Sequence, residues 1–265
     1  MKVSTFTLQN SEAATASGLI GSGLTLLRKM DFTKPTYQSQ AFFSLSIGLE
    51  RMMKLIVIYD YRTLNNNQFP DDKYLRKSYM HNLGKLFAKC EAISAPYNIE
   101  FKIVLNDPIY KKIIAILSEF SNQSRYYNLN YLSGNNFGED CLQLWENEVN
   151  KEIMRRHCNA EEEDFKEDEN ITINEVDSID QRMQKSTIIN FRNWYKNGKF
   201  FDEKAKYSMY YVYNIVHFLT NVLYELSAQK LIPFIHEHFR LFLNTDQNFI
   251  LDRRIWDNYE IWKDK

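Results

Sequence analysis

Arg76 and His81 are the residues whose types and spacing most clearly suggest chemistry. Four residues separate them in the chain. An imidazole titrates near neutral pH and can take up or release a proton during a reaction. A guanidinium group matches the geometry of a phosphate and can hold one through two hydrogen bonds. The pair therefore fits acid–base chemistry at a phosphate ester.

A structural role for the same two residues stays open. A shuffled chain of this composition would contain roughly 0.7 such spacings by chance. On one continuous helix, residues five apart point about 140° away from each other, so the two side chains share a site only if Arg76 precedes the helix start. In the alternative interpretation, His81 caps or orients a helix and Arg76 lies on the surface.

Other histidine-containing segments favour structural roles. His236 and His238 flank Glu237, and on a helix a spacing of two residues puts them on opposite faces, so we expect no metal site. The run 155–157 (RRH) ends a predicted helix, where cations suit the helix dipole, with a phosphate contact as the alternative. His217 lies in an apolar helix and is expected to be a core or interface histidine.

No cofactor is expected from the motifs. The sequence has no phosphate-binding P-loop, no GxGxxG, no GxSxG nucleophile motif and no zinc-ligand spacing. The glycine-containing string at 17–23 (SGLIGSG) has no lysine and no preceding strand. It predicts close packing between helices.

Composition and charge favour a cytoplasmic globular protein with a hydrophobic core. The 265 residues are 44% hydrophobic and carry a net charge of −1, so no global basic field attracts nucleic acid. The three cysteines, Cys90, Cys141 and Cys158, form no CxxC motif and are typical of free thiols in a reducing compartment. We predict no membrane span, because no stretch reaches about 18 apolar residues.

The hydrophobic periodicity predicts an all-α protein. A strong start signal is Asn106-Asp107-Pro108, a capping residue followed by proline at the first helical position. Loops are expected at 65–72 and 124–138, and a short strand is conceivable at Asn98–Leu105. The predicted helices are Ser11–Met30, Ser39–Tyr61, Tyr79–Cys90, Ile109–Phe120, Glu139–His157, Glu175–Lys196, Asp202–Gln229 and Leu231–Leu243.

An acidic stretch divides the chain. Residues 159–170 (NAEEEDFKEDEN) are rich in carboxylates, which predicts a solvated or disordered linker. We predict a helical region at 1–158, an acidic linker or loop at 159–173, and C-terminal helices at 174–265 that pack on the same bundle. The segment Tyr207–Leu226 is apolar almost all round, which suggests a surface covered in a homodimer.

Several segments together resemble HEPN domains, which are helical bundles of prokaryotic toxin, defence and chaperone-linked proteins. They are the long helix with Leu49-Glu50-Arg51-Met52-Met53-Lys54, then His81-Asn82-Leu83-Gly84-Lys85-Leu86, then Ser124-Arg125-Tyr126-Tyr127. The resemblance covers roughly residues 36–135, with the helix at 202–229 as a closing member. It implies an up-and-down helical bundle with additional C-terminal helices.

The resemblance also implies candidate functions. Catalytic HEPN proteins are metal-independent RNases built around Arg-x(4–6)-His, which makes Arg76 and His81 the catalytic pair here. Lys77 stands where active members commonly have Asn, Asp or His. Lys77, Arg125 and Tyr126 are candidates for contact with RNA or a nucleotide; the alternative for Arg125 and Tyr126 is loop packing.

Three functions stay open at this level. The first is a homodimeric interaction or accessory protein in a prokaryotic defence or toxin–antitoxin setting, which would bind a partner protein. The second is the metal-independent RNase. The third is a structural helical protein without any link to nucleic acid, which the balanced charge permits.

Overall fold

A computed structural model shows that the chain is all-α, as its periodicity predicts. It describes residues 4–31, 34, 36–97, 99, 106–122, 124–134, 139–161, 178–185, 200–228 and 235–257, with the backbone alone at 76–78. None of these residues lies in a β-strand. The strand considered at Asn98–Leu105 and residues 162–173 of the predicted linker fall outside the described residues, apart from Ile99.

Three of the described connections have helical structure of their own. A 3₁₀ turn at Ser124–Tyr126 leads into α6, a π-helical segment at Glu146–Asn150 joins α7 to α8, and a 3₁₀ helix at Ile235–Leu243 precedes α11. The helix α9 covers residues 179–185. The α-helices are α1 (Thr5–Arg28), α2 (Thr36–Leu64), α3 (Asp72–Tyr79), α4 (Leu83–Ser94), α5 (Pro108–Asn122), α6 (Tyr127–Leu132), α7 (Cys141–Trp145), α8 (Lys151–His157), α9, α10 (Phe201–Ala228) and α11 (Gln247–Asp252).

The antiparallel pair α1 and α2 has the most extensive contact of any two described elements. Glycines let the two backbones approach. A Cβ atom added to Gly23 would lie 3.2 Å from the Ala41 carbonyl oxygen, and one added to Gly48 would lie 3.0 Å from the Ile20 nitrogen. The close helix packing predicted from the glycine-containing string is therefore confirmed at Gly23, whereas nothing lies within 4 Å of a Cβ added to Gly18.

The long helix α10 is surrounded by the rest of the bundle. It packs against α1, α2, α4, α5, α8, α11 and the 3₁₀ helix Ile235–Leu243. Every residue from 211 to 220 on this helix is buried. Its apolar surface is thus covered inside the chain, and the apolar character of Tyr207–Leu226 no longer argues for a homodimer.

Several predicted boundaries were wrong for local reasons. Helix α1 begins before Ser11, because the Ser4 side chain accepts the Thr7 N–H and caps the helix. The helix predicted at Tyr79–Cys90 begins only at Leu83, where Asn82 caps α4, and a separate helix α3 precedes it. The loop predicted at 124–138 contains the 3₁₀ turn and α6.

The predicted helix Glu139–His157 begins at Cys141, where Asp140 accepts backbone N–H groups. Its π-helical segment contains Asn150, which is fully buried. The Asn150 side chain accepts from the Trp145 indole and the Ser208 hydroxyl and donates to Glu146. Because a buried amide needs all its partners, this network fixes α7 and α8 against α10.

None of the described helices combines the length and the apolar character that crossing a membrane would require.

The contact between α1 and α2 leads to a stability prediction. Gly48→Ala should lower the free energy of unfolding by ~1–3 kcal/mol, because its methyl group would meet the Ile20 backbone. Gly18→Ala is the matched control, since nothing lies within 4 Å of its added Cβ, and it should stabilise by about 0.5–1 kcal/mol. Chemical denaturation of both variants measures the difference. Equal effects of the two substitutions would contradict the close approach.

Candidate functional site

A cleft of 470 Å³ forms where α1, α2, α5 and the turn before α4 meet. We call it the charged cleft, because most of its lining side chains are ionisable. Three neighbouring turns of α2 form one wall. The lining residues are Glu12, Ile47, Glu50, Arg51, Lys54, His81, Ser121, Asn122 and Arg125.

The chain between α3 and α4 presents His81 to this cleft. Met80 has a positive φ of 44°, which turns the backbone sharply after α3. Asn82 then starts α4 by accepting the Lys85 N–H at 2.9 Å. His81 lies between these two fixed points, and its side chain is 68% exposed. The break between α3 and α4 means that Arg76 and His81 do not share one continuous helix.

Glu50 holds the His81 imidazole. Its carboxylate oxygens lie 3.1 and 3.2 Å from Nδ1 of His81. The same carboxylate accepts a hydrogen bond from Lys54 Nζ at 2.5 Å. A carboxylate accepts hydrogen bonds, so Nδ1 is the donor in this contact and Nε2 is the ring nitrogen that Glu50 does not engage.

The remaining charges of the cleft differ in how they are paired. Arg51 donates to both oxygens of Glu12 at 2.7 Å, which joins α2 to α1. The Arg125 guanidinium lies over the Tyr126 ring, 5.1 Å from its centroid. No carboxylate among the described residues forms an ion pair with Arg125. Of the three permanent cations in the cleft, Arg125 is therefore the most available for an anion.

The structure brings together some of the predicted site residues. His81 and Arg125 line the same cleft, whereas Tyr126 lines two neighbouring cavities. The side chains of Arg76 and Lys77 lie outside the described residues. The role of Arg76 and His81 as a catalytic pair stays a prediction.

Glu12, Arg51 and Lys54 were not among the site residues predicted from the sequence. Lys54 and Glu50 were visible as an i,i+4 pair on the polar face of α2. That spacing is common on solvated helices and carries no functional signal by itself. The Arg51–Glu12 pair joins residues 39 apart in the sequence, so only the packing of α1 on α2 reveals it.

The other histidines have internal partners. His157 stacks on Tyr207 with ring centroids 3.6 Å apart, and its Nε2 lies 3.0 Å from the Tyr211 hydroxyl. Its neighbour Arg156 pairs with Asp107 and Glu152. The phosphate contact considered for residues 155–157 would have to break these ion pairs.

His236 and His238 face different elements. His236 packs edge-on against Tyr224 of α10, and His238 Nε2 lies 3.2 Å from the Asn10 side chain of α1. No three His, Cys, Asp or Glu residues in the described ranges are grouped so that they could hold a metal ion.

Comparisons of the chain with models of protein families, with curated proteins and with solved structures found no match. The resemblance to HEPN domains therefore stays a prediction, and the site is interpreted from its geometry.

Burial of His217 leads to a prediction about pH. His217 is buried as expected and donates from Nδ1 to the Phe242 carbonyl at 2.7 Å. Burial lowers its pKa below the usual value, and the hydrogen bond opposes this only in part. The unfolded chain therefore binds more protons below about pH 6.5, and stability should fall as the pH falls through that value.

Urea denaturation at a series of pH values between 7.5 and 5 would measure this effect. The free energy of unfolding should decrease with a slope of up to about 1.4 kcal/mol per pH unit for each such histidine. His217→Asn should reduce the slope while also lowering stability at neutral pH. An unchanged slope in this variant would show that His217 does not contribute.

Proposed function

We propose that this chain is a HEPN-like, metal-independent RNase whose charged cleft binds the phosphate backbone and whose His81 transfers the proton. The observation that carries the proposal is the position of His81. It is exposed in a cleft with three cations, and a carboxylate 3.1 Å away orients its ring. A histidine oriented by a carboxylate is a recurring arrangement for acid–base catalysis.

The proposed reaction uses the His81 ring nitrogen that Glu50 does not engage. Nε2 takes the proton of a ribose 2′-hydroxyl, and the 2′-oxygen attacks the adjacent phosphorus. The bond from phosphorus to the 5′-oxygen breaks, and that oxygen takes up a proton from water. The products are a 2′,3′-cyclic phosphate and a 5′-hydroxyl end, and the imidazolium returns its proton to solvent.

The cations of the cleft would stabilise the phosphate as its negative charge increases. Arg125 is the first candidate for a direct contact, because no described carboxylate competes for it. Lys54 contacts the same Glu50 carboxylate as His81. Arg76 would supply a second guanidinium, as the resemblance implies.

RNA cleavage in EDTA tests the proposal. The wild-type protein should cleave single-stranded RNA, and His81→Ala should lose roughly 10²- to 10⁴-fold of the rate. Glu50→Gln should lose part of it, because an amide can still hold the ring but stabilises the imidazolium less. The end groups are identified by their resistance to phosphatase until acid opens the cyclic phosphate.

Substitutions of arginines inside and outside the site show whether cleavage depends on the charged cleft or only on the net charge of the protein. Arg125→Ala and Arg76→Ala should reduce cleavage. The control is Arg240→Ala. Arg240 lies outside the charged cleft, in the 3₁₀ helix Ile235–Leu243, and its side chain is 68% exposed. Its substitution should leave the cleavage rate unchanged. Equal activity in wild type, His81→Ala and Arg76→Ala would show a contaminating nuclease and refute the assignment.

A second candidate is a homodimeric interaction or accessory protein in a prokaryotic defence or toxin–antitoxin setting. The observation that favours it is α6, a helix in which no residue is buried. Leu129, Tyr131 and Leu132 are all exposed there, and Leu132 reaches 82%. Adjacent exposed apolar side chains of this kind are typical of contact surfaces.

The oligomeric state tests this second candidate. If α6 meets a second copy of the chain, light scattering after gel filtration should give the mass of a dimer for the wild type. Leu132→Asp should then shift the protein to monomer, and Leu64→Asp, at another exposed leucine, should not. A wild-type monomer at high concentration would exclude the homodimer.

A further inference from the structure

A second cavity adjoins the charged cleft at Arg125. It has a volume of 480 Å³, and its walls carry Phe43 of α2, Leu26 of α1, Phe120 of α5 and Tyr126. We call it the aromatic cleft. Arg125 lines both cavities, so the two form neighbouring parts of one surface.

Two aromatic side chains of this cleft remain exposed although the core nearby is densely packed. Phe43 is 49% exposed, whereas its neighbour Phe42 is fully buried. Tyr126 is 53% exposed, and the Arg125 guanidinium lies over its ring. Exposed rings beside a cation are the features with which proteins stack the bases of single-stranded nucleic acid.

The outer face of α2 sets the distance between the two clefts. Phe43, Ile47 and Glu50 follow one another at four- and three-residue steps, so they lie on one face of the helix. From Phe43 to Glu50 the helix rises about 10 Å. A stacked nucleic-acid strand advances about 3.4 Å per nucleotide, so a base in the aromatic cleft would lie within about three nucleotides of a phosphate at His81.

We propose that the aromatic cleft binds an unpaired base of the RNA strand whose phosphate lies in the charged cleft. The proposal rests on the proposed RNase function and identifies its substrate class as single-stranded RNA. A base inside a duplex is stacked on both sides and has no free face for Phe43 or Tyr126. Gln40 and Ser44 also line the cavity, and their amide and hydroxyl groups could hydrogen-bond to the edges of such a base.

Fluorescent RNA analogues test the base site separately from cleavage. The probe is an eight-nucleotide strand with 2′-deoxyribose throughout, which lacks the attacking 2′-hydroxyl, and with one 2-aminopurine placed at each position in turn. Stacking on an aromatic ring quenches this base. The wild-type protein should quench it at one or two adjacent positions, and a complementary strand should abolish the effect.

Substitution of the two rings should weaken binding of the probe. Tyr126→Ala and Phe43→Ala should each bind between about 5- and 150-fold more weakly and lose the quenching. Tyr224→Ala is the matched control, because Tyr224 is 46% exposed on α10 and lines neither cleft. Unchanged thermal unfolding in the three variants shows that the fold is intact.

The two proposals fail in different ways. Cleavage of all-ribose RNA without quenching of the probe, or equal competition by duplex, would overturn the base site and leave the RNase intact. Quenching that depends on Tyr126 and Phe43, without any His81-dependent cleavage, would support the base site and overturn the RNase. Absence of both quenching and cleavage would refute both proposals.

Discussion

The close antiparallel contact between α1 and α2 is the constraint on which the candidate site depends. Gly23 and Gly48 allow the backbones to approach so closely that ordinary side chains would clash there. At this separation Glu12 of α1 reaches Arg51 of α2 at 2.7 Å. Moving the helices apart by the width of a methyl group would stretch this ion pair and widen the charged cleft.

Polar contacts fix the register of the same helix pair. Gln9 of α1 accepts hydrogen bonds from the Tyr59 hydroxyl and from Arg62, both at 2.9 Å. Arg62 is buried and packs over the Phe69 ring at 4.4 Å. Buried polar groups lose much stability when their partners shift. The glycine contacts therefore set the distance between the helices, and the Gln9 network sets their relative position along the axis.

The fold class and the long helices could be predicted from the sequence because hydrophobic periodicity is a local signal. Asp107-Pro108 also marked the start of α5 correctly, since capping and the fixed φ of proline act within a few residues. The break at Met80 could not be predicted in this way. A positive φ is uncommon for a methionine, so no residue preference predicts this turn.

The candidate site was predictable only in part for a related reason. His81 and Arg125 were found because their residue types suggest chemistry. Glu50 was noted only within the segment that resembles HEPN domains, whereas its contact with His81 joins residues 31 apart in the sequence. The aromatic cleft joins α1, α2, α5 and the turn after α5, so its existence depends on the tertiary structure alone.

The distribution of charge in the charged cleft has a consequence for how an anion would enter it. The whole chain carries a net charge of −1, so it has no long-range attraction for an anion, and a local excess of cations would have to provide the affinity for one. Arg51 and Lys54 already have carboxylate partners. A phosphate that approaches them must compete with Glu12 and Glu50, whereas Arg125 has no such competitor among the described residues. Arg125 also contacts the ring of Tyr126 and lines both clefts. In the proposed function, this position would couple the binding of a phosphate to the stacking of a base.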